Sequence, residues 1–445
     1  MDSIFKAYDI RGVYGTELTD EKVELVGKAT GTLIGDVDEF IIGYDTREHS
    51  PKVFESFVRG INATGVDALS IGMLPNPVAY FTGFKNKLPG VYITASHNPS
   101  EYNGMKFFRK DGTSYVEELK KLKEIALSNN FRQTNHGHIV ELDYGLIDYE
   151  EYLADRINIE KPIKIVAECF NGSASTIVPH VFETMGIECI PIHKDIKGDF
   201  GGLRPEPKGE NLKSLREAVV AEKADFGIAF DGDSDRGVFI DNQGVEHPAS
   251  IPGAIFISDI LKKTRGPIIA SIDCPSSIAK VISEHGGKLI WNRIGHGFIE
   301  ENLVKHNALF AVEQSSHFYF NQFYPFSDGF LSALRMAEIL SRSDKKLSEM
   351  AAEIEQNPTE KVYIDAGTHE TKNKVVEYLR QKYPDSIDAV DGFKIMLNET
   401  EWALIRVSQN LPEINLAIEA KSAVRLKEIH SEYAKLIQEA IKKVG

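Results

Sequence analysis

Short apolar runs, each bounded by turn residues, recur along most of the chain and predict buried strands. The first covers 39–43. Tyr44-Asp45-Thr46-Arg47 then turns the chain, and a helix opens near Ser50-Pro51, a cap followed by proline in the first turn. It stops near Gly65. A second strand is predicted at 68–71, and a helix-like stretch leads to a third at 91–93. The same order returns with strands at 163–167, 189–192 and 226–230 and a helix over 173–185. It returns again with strands at 267–272, 288–291 and 309–312 and a helix over 275–285. Alternation of this kind implies parallel sheets covered by helices.

Each third strand runs into a polar loop. The loops are Thr94-Ala95-Ser96-His97-Asn98-Pro99, Asp231-Gly232-Asp233-Ser234-Asp235-Arg236 and Glu313-Gln314-Ser315-Ser316-His317. Asn98-Pro99 and Asn103-Gly104 are turn signals that place Ser96 on a tight loop at a strand end. Strand C-termini gather at one edge of an open α/β sheet. Three such units facing a common cleft bring the three loops together. The last part differs, with helices at 372–383 and 421–443 and strand-like runs at 393–397, 402–405 and 414–418. The expected fold is therefore α/β: three similar mixed α/β domains around a cleft plus a C-terminal α+β domain. The expected divisions are 1–148, 149–250, 251–360 and 361–445.

Composition narrows the partners. The formal net charge of −15 argues against nucleic acid or an anionic membrane, and no apolar run reaches membrane-span length. An anionic small substrate requires a local cluster of arginine and lysine. Cys169, Cys189 and Cys274 are isolated and lack metal spacing, which fits buried thiols in a reducing, cytoplasmic setting.

Asp231, Asp233 and Asp235 alternate directly after a buried strand. Three carboxylates so close repel by about 1 kcal/mol per pair at 4 Å even in water. A hard divalent cation such as Mg²⁺ removes that cost. An EF-hand is excluded, because Arg236 and Asn242 stand where it needs Gly and Glu. Arg11, Lys106 and Arg236 lie beside turn signals, and Arg406 with Ser408 and Asn410 offers a guanidinium fork plus two neutral groups suited to a phosphate dianion. Glu313, Ser315 and His317 alternate in what reads as an extended loop, so a carboxylate and a hydroxyl project together toward vicinal sugar hydroxyls.

In this order the loops resemble those of the α-D-phosphohexomutase superfamily over nearly the whole chain, and Tyr8-Asp9-Ile10-Arg11-Gly12 resembles its phosphomannomutase/phosphoglucomutase branch. The resemblance implies that Ser96 is carried as phosphoserine, with Mg²⁺ held by Asp231, Asp233, Asp235 and the phosphoryl group. It implies transfer of phosphate between C1 and C6 of a hexose phosphate, mannose or glucose, through a bisphosphorylated sugar that also serves as activator. His97, Lys106 and Arg11 match positions that handle charge and protons. Tyr8, Arg236, His296, Glu313, Ser315, Arg406, Ser408 and Asn410 match substrate-contacting positions. A monomer or homodimer is expected. Ser316 replaces a usual Gly, Asn410-Leu411 replaces Thr-Glu, and Asn76 replaces Thr. Glu313-Gln314-Ser315 resembles the phosphoglucosamine mutase branch, which makes that sugar the alternative. Further alternatives are a phosphatase using Asp231 as nucleophile and a non-catalytic sugar-phosphate-binding protein.

Overall fold

The computed structural model describes residues 1–408 and 411–444, arranged around four sheets. In the first sheet, Glu39–Tyr44 runs parallel to Asp67–Met73 on one side and to Gly90–Ile93 on the other. In the second, Lys164–Glu168 lies between parallel Glu188–Ile192 and Phe226–Phe230. In the third, Pro267–Ser271 lies between parallel Lys288–Asn292 and Phe310–Val312. The central and third strand of each set are near-continuous runs of buried apolar residues, as strands covered on both faces should be, whereas the edge strands Glu188–Ile192 and Lys288–Asn292 are largely half-buried.

The sheets are mixed rather than purely parallel, and this corrects the sequence reading where it matters. Each third strand turns back into an antiparallel partner. Gly90–Ile93 pairs with Tyr102–Phe108, Phe226–Phe230 with Gly237–Asp241, and Phe310–Val312 with Phe318–Phe320. Each polar loop is therefore the tip of a hairpin at the C-terminal end of a parallel strand. Asn103-Gly104, expected as a turn, lies inside the returning strand. Asn103 is spent locally, its Oδ1 accepting from Gly104 N at 2.7 Å and its Nδ2 donating to Ser50 Oγ at 3.0 Å. Gly104 is required by close approach, because a Cβ there would lie 2.1 Å from Ile10 O.

One other expectation changes. The helix over 173–185 is broken into a 3₁₀ turn, Ser173–Thr176, and a single α turn, His180–Glu183. Pro179 between them lacks an N–H and disfavours helical backbone before it. The expected division at 148/149 falls inside the helix Gly145–Ala154.

The first three units share one hydrophobic core, which runs through Tyr80, Phe230, Phe256 and Phe330. At its centre the helix Gly329–Ser341 is buried on every face. Its N-cap, Asp328, accepts from Leu331 N at 3.0 Å, Tyr149 Oη at 2.7 Å and Tyr324 Oη at 2.6 Å. This shared core turns the three hairpin tips toward one cleft. The fourth unit is a five-stranded antiparallel sheet with the helices His369–Lys382 and Ala423–Val444 packed on it and a core of its own. Among the described residues no helix is long and apolar enough to cross a membrane.

Candidate active site

Ser96 sits at the tip of the first hairpin with φ 51°, a left-handed conformation that a serine holds only when its surroundings impose it. The restraint is Arg47, wholly buried just past the end of Glu39–Tyr44. Its Nη2 donates to the carbonyls of Ser96 and Asn98, both at 2.8 Å, and its Nη1 to those of Pro99 at 2.6 Å and Tyr102 at 3.0 Å. Asp45 holds the guanidinium from behind, accepting from Nε at 3.0 Å, and also accepts from Thr94 Oγ1 at 2.8 Å. Thr94 Oγ1 in turn accepts from Ser96 N at 2.8 Å. Sequence reading treated Asp45 and Arg47 as turn residues. Their one signal was position, charged residues directly after a buried strand at the same sheet edge as the other loops.

The second hairpin tip packs directly on the first. A Cβ on Gly232 would lie 2.4 Å from Ser96 O, so only glycine fits beneath the serine. The Ser96 hydroxyl donates to Asp231 Oδ2 at 2.7 Å and lies 3.2 Å from His97 Nδ1. Asp231, Asp233 and Asp235 are all buried, with oxygens within 4.8 Å of one another. Lys106 reaches in from the strand Tyr102–Phe108 and donates to Asp233 Oδ2 at 2.6 Å and Asp235 Oδ2 at 2.7 Å. The third hairpin closes the ring, with His317 Nε2 3.3 Å from Asp235 Oδ1.

The electrostatics follow from this packing. Burial, reinforced by Asp233 and Asp235, pushes the Asp231 carboxyl well above its ordinary range. Burial would raise Asp235 as well, but Lys106 and His317 outweigh it and hold that group well below. Burial alone would lower the Lys106 ammonium; Asp233 and Asp235 instead raise it, so it stays charged. The Arg236 guanidinium, then burial, then Arg11 and Lys106 depress the His97 imidazole to about 2, which keeps it neutral. Asp233 Oδ1 is buried without a hydrogen-bond donor, and Asp235 Oδ1 faces only His317 Nε2, at 3.3 Å. An unpartnered carboxylate oxygen in an all-oxygen cluster fits a hard divalent cation.

The remaining expected residues fall into two groups. Arg11, Arg236, Tyr8 and His296 line the same cleft. Arg11 donates to Asn98 Oδ1 at 2.8 Å and Asp9 Oδ2 at 2.6 Å. Arg236 Nε lies 3.5 Å from Asp231 Oδ2. The ring of Tyr8 stands edge-on to His296 at 4.6 Å, and burial followed by Asp9 and Glu313 raises its hydroxyl pKa. His296 Nδ1 lies 3.1 Å from Ser114 Oγ. The loop 313–317 is not extended as expected. Ser316 N donates to Glu313 O and Glu313 N to His317 O, both at 3.1 Å, which closes a tight turn with Ser316 at φ 68°. Both Glu313 oxygens already accept, from Gly295 N at 2.8 Å and Tyr319 Oη at 2.7 Å, while Ser315 stands exposed with its Oγ 2.8 Å from His317 Nδ1. Arg406 and Ser408 sit on the fourth unit, where Asp391, absent from the sequence reading, accepts from Arg406 Nε at 3.2 Å. Asn410 lies outside the described residues.

Comparison with known proteins decides the family. Residues 2–133, 148–244 and 251–357 match phosphoglucomutase/phosphomannomutase alpha/beta/alpha domains I, II and III in turn. A phosphomannomutase/phosphoglucomutase of Pseudomonas aeruginosa is 33% identical over 440 residues, covering 96% of this chain and 94% of that one. The chain belongs to the phosphoglucomutase/phosphomannomutase family. A probable phosphoglucosamine mutase of Methanopyrus kandleri is 31% identical over the full length of both chains. The crystal structure of a phosphoglucomutase/phosphomannomutase family protein from Burkholderia thailandensis superposes with a TM-score of 0.91 at 27% identity, covering 100% of this chain and 99% of that one. The protein is thus a phosphohexomutase-family enzyme, and the three matched domains each contribute one hairpin tip to the cluster around Ser96.

Proposed function

We propose that the enzyme moves a phosphoryl group between C1 and C6 of mannose or glucose phosphate, with Ser96 carrying it between the two positions. The observation that carries this reading is the Ser96 hydroxyl, 2.7 Å from Asp231 and beside a carboxylate triad that lies among Arg11, Lys106 and Arg236. Phosphoserine gives its phosphoryl group to the free hydroxyl of the hexose phosphate, leaving a serine hydroxyl and a sugar bisphosphate. After the sugar turns around, Ser96 attacks the other phosphate and takes it back, so phosphate and protons balance over the cycle. Escape of the bisphosphate leaves bare serine, which is why added sugar bisphosphate activates.

Phosphoryl transfer depends chiefly on positioning and on charge neutralisation. Bound by Asp231, Asp233, Asp235 and the Ser96 phosphoryl group, Mg²⁺ would supply most of the latter. The chain supplies the rest. Arg236 and Arg11 face the oxygens around Ser96. Asp231, which accepts from the Ser96 hydroxyl at 2.7 Å, and His97, 3.2 Å from it, are the groups that flank its proton. Glu313 and Ser315 are assigned to sugar hydroxyls, and Arg406, Ser408 and Asn410 to the phosphate that does not react. The phosphoglucosamine mutase reading is favoured by Glu313-Gln314-Ser315 and by the Methanopyrus relative. The test is a coupled assay on mannose 1-phosphate, glucose 1-phosphate and glucosamine 1-phosphate, with Mg²⁺ and a trace of sugar bisphosphate. Wild type turns over and ranks the sugars, and folded Ser96→Ala loses nearly all turnover. Near-normal activity in that variant overturns the mechanism.

A further inference from the structure

The two tryptophans of the chain stand on either side of one lysine. Lys394, on the fourth-sheet strand Gly392–Met396, is wholly buried. Its ammonium lies 4.0 Å from the ring centre of Trp291, on the third sheet, and 4.1 Å from that of Trp402, on the adjacent fourth-sheet strand. It donates at 3.0 Å to the carbonyl of Cys274, in the loop that leaves the C-terminal edge of the third sheet. Burial lowers the ammonium pKa to about 8, so the group is still a cation at neutral pH; Cys274, Glu419 and Asp273 are the ionisable groups that face it. Glu419 closes the same seam, accepting from Ser276 N at 2.7 Å, Ser276 Oγ at 2.8 Å and Trp402 Nε1.

Lys394 lies on the seam between the fourth unit and the third, beside the Glu419–Ser276 bonds. On its own strand, Gly392 stands opposite Arg406 in register, and the preceding Asp391 holds the Arg406 guanidinium. On the other side, Cys274 follows Asp273, whose carboxyl senses both Arg406 and Glu313. An ammonium held by one carbonyl and two indole faces is a costly way to fill an interface. An apolar side chain would fill the same space more cheaply, so what the lysine adds is direction and registry.

We propose that Lys394 is a positioning residue, clamped between Trp291 and Trp402 and bonded to Cys274, that registers the fourth unit on the third so that Arg406 is aimed at the phosphate that does not react. The inference rests on the assignment of Arg406 given above. The experiment compares full-length Lys394→Met, Lys394→Arg and Arg406→Ala by steady-state kinetics on the preferred hexose 1-phosphate. Acrylamide quenching of tryptophan emission is measured in parallel, and both tryptophans report on this seam. Lys394→Met is expected to raise KM about tenfold with kcat within about twofold, the equivalent of about 1.4 kcal/mol, and roughly to double quenching. Lys394→Arg keeps a cation that stacks on indole and should stay within about twofold of wild type in both. Unchanged KM in Lys394→Met overturns the proposal, even if its melting temperature falls. So does equal loss in the Arg and Met variants. Wild-type KM in Arg406→Ala would instead remove the phosphate assignment, and the quenching data would still show whether the clamp exists.

Discussion

Replacing Arg47 by methionine tests whether the reactive serine is held by its own loop or from outside it. The substitution keeps an unbranched side chain and removes the guanidinium. Four carbonyls, those of Ser96, Asn98, Pro99 and Tyr102, lose donors now at 2.6 to 3.0 Å, and Asp45 loses its buried ion-pair partner. Hydrogen bonds from a charged donor contribute about 1.5–3 kcal/mol each, but those of one group do not add. The better guide is the loss of one partner from a buried pair, about 3–5 kcal/mol. Asp45 keeps Arg47 N at 3.1 Å, Ser50 Oγ at 2.5 Å and Thr94 Oγ1 at 2.8 Å, which places the expected loss toward the lower end. The left-handed serine costs about 1–3 kcal/mol by itself, so an unstrapped loop relaxes away from Asp231. Misplacement by 1 Å lowers turnover about 100-fold. The assays are urea denaturation, hydrogen exchange of peptides spanning 94–108, and kcat/KM. Expected are a stability loss near 3 kcal/mol, faster exchange in that segment and a fall in kcat/KM of about two orders of magnitude. Stability within about 1 kcal/mol of wild type with unchanged exchange would refute the reasoning.

Two further outcomes follow from the carboxylate cluster. Lys106→Met removes the cation that neutralises Asp233 and Asp235 in the metal-free protein, so the variant should melt lower without metal and gain more melting temperature than wild type on adding Mg²⁺; an equal metal-induced shift in the two proteins would show that Lys106 is not the resident counter-charge. His97 is held neutral by Arg236, burial, Arg11 and Lys106, with a folded-state pKa of about 2 against about 6.5 for a free imidazole. The unfolded chain therefore binds the extra proton first, and this group erodes stability as pH falls below about 6.5. Proton–nitrogen NMR of the dephosphorylated protein should show no His97 titration between pH 5 and 8, and a midpoint near 6.5 would contradict the assignment.

The parts of the site legible in the sequence are those written within a few adjacent residues. Ser96 and its turn, and the alternation of Asp231, Asp233 and Asp235, need no partner to be seen. Lys106 was legible as a cation near a turn, although it acts from a strand. Arg47 was not legible, because its function is to bond carbonyls some fifty positions away and the residues it holds carry no matching signature. Asp391 was hidden for the same reason. The returning strands Tyr102–Phe108, Gly237–Asp241 and Phe318–Phe320 were missed because they are short or carry turn-like residues inside them. In Asn103-Gly104 a tight main-chain contact had overridden local preference. The helix Gly329–Ser341 is buried all round, and its polar side chains Ser332, Arg335, Glu338 and Ser341 bond within the protein instead of facing solvent, so its pattern does not mark out a solvent face.

The hairpin tips are also joined to their neighbours through the main chain. Asn76 N donates to Asp233 O at 3.0 Å, Ser173 N to Gly232 O at 3.2 Å, Gly237 N to Ser316 O at 3.1 Å, and Gly329 N to Ser234 O at 3.2 Å. Every residue except proline can make such bonds. Apart from the glycine required at 232 and the Arg47 strap, the bonds that set the spacing between loops therefore do not depend on the side chains the loops display. The exposed side chain at 315 can change without touching these main-chain bonds, whereas 316, buried at φ 68°, takes only residues that tolerate a left-handed backbone. A substitution at such an exposed loop position therefore leaves the spacing between Ser96 and the carboxylates in place.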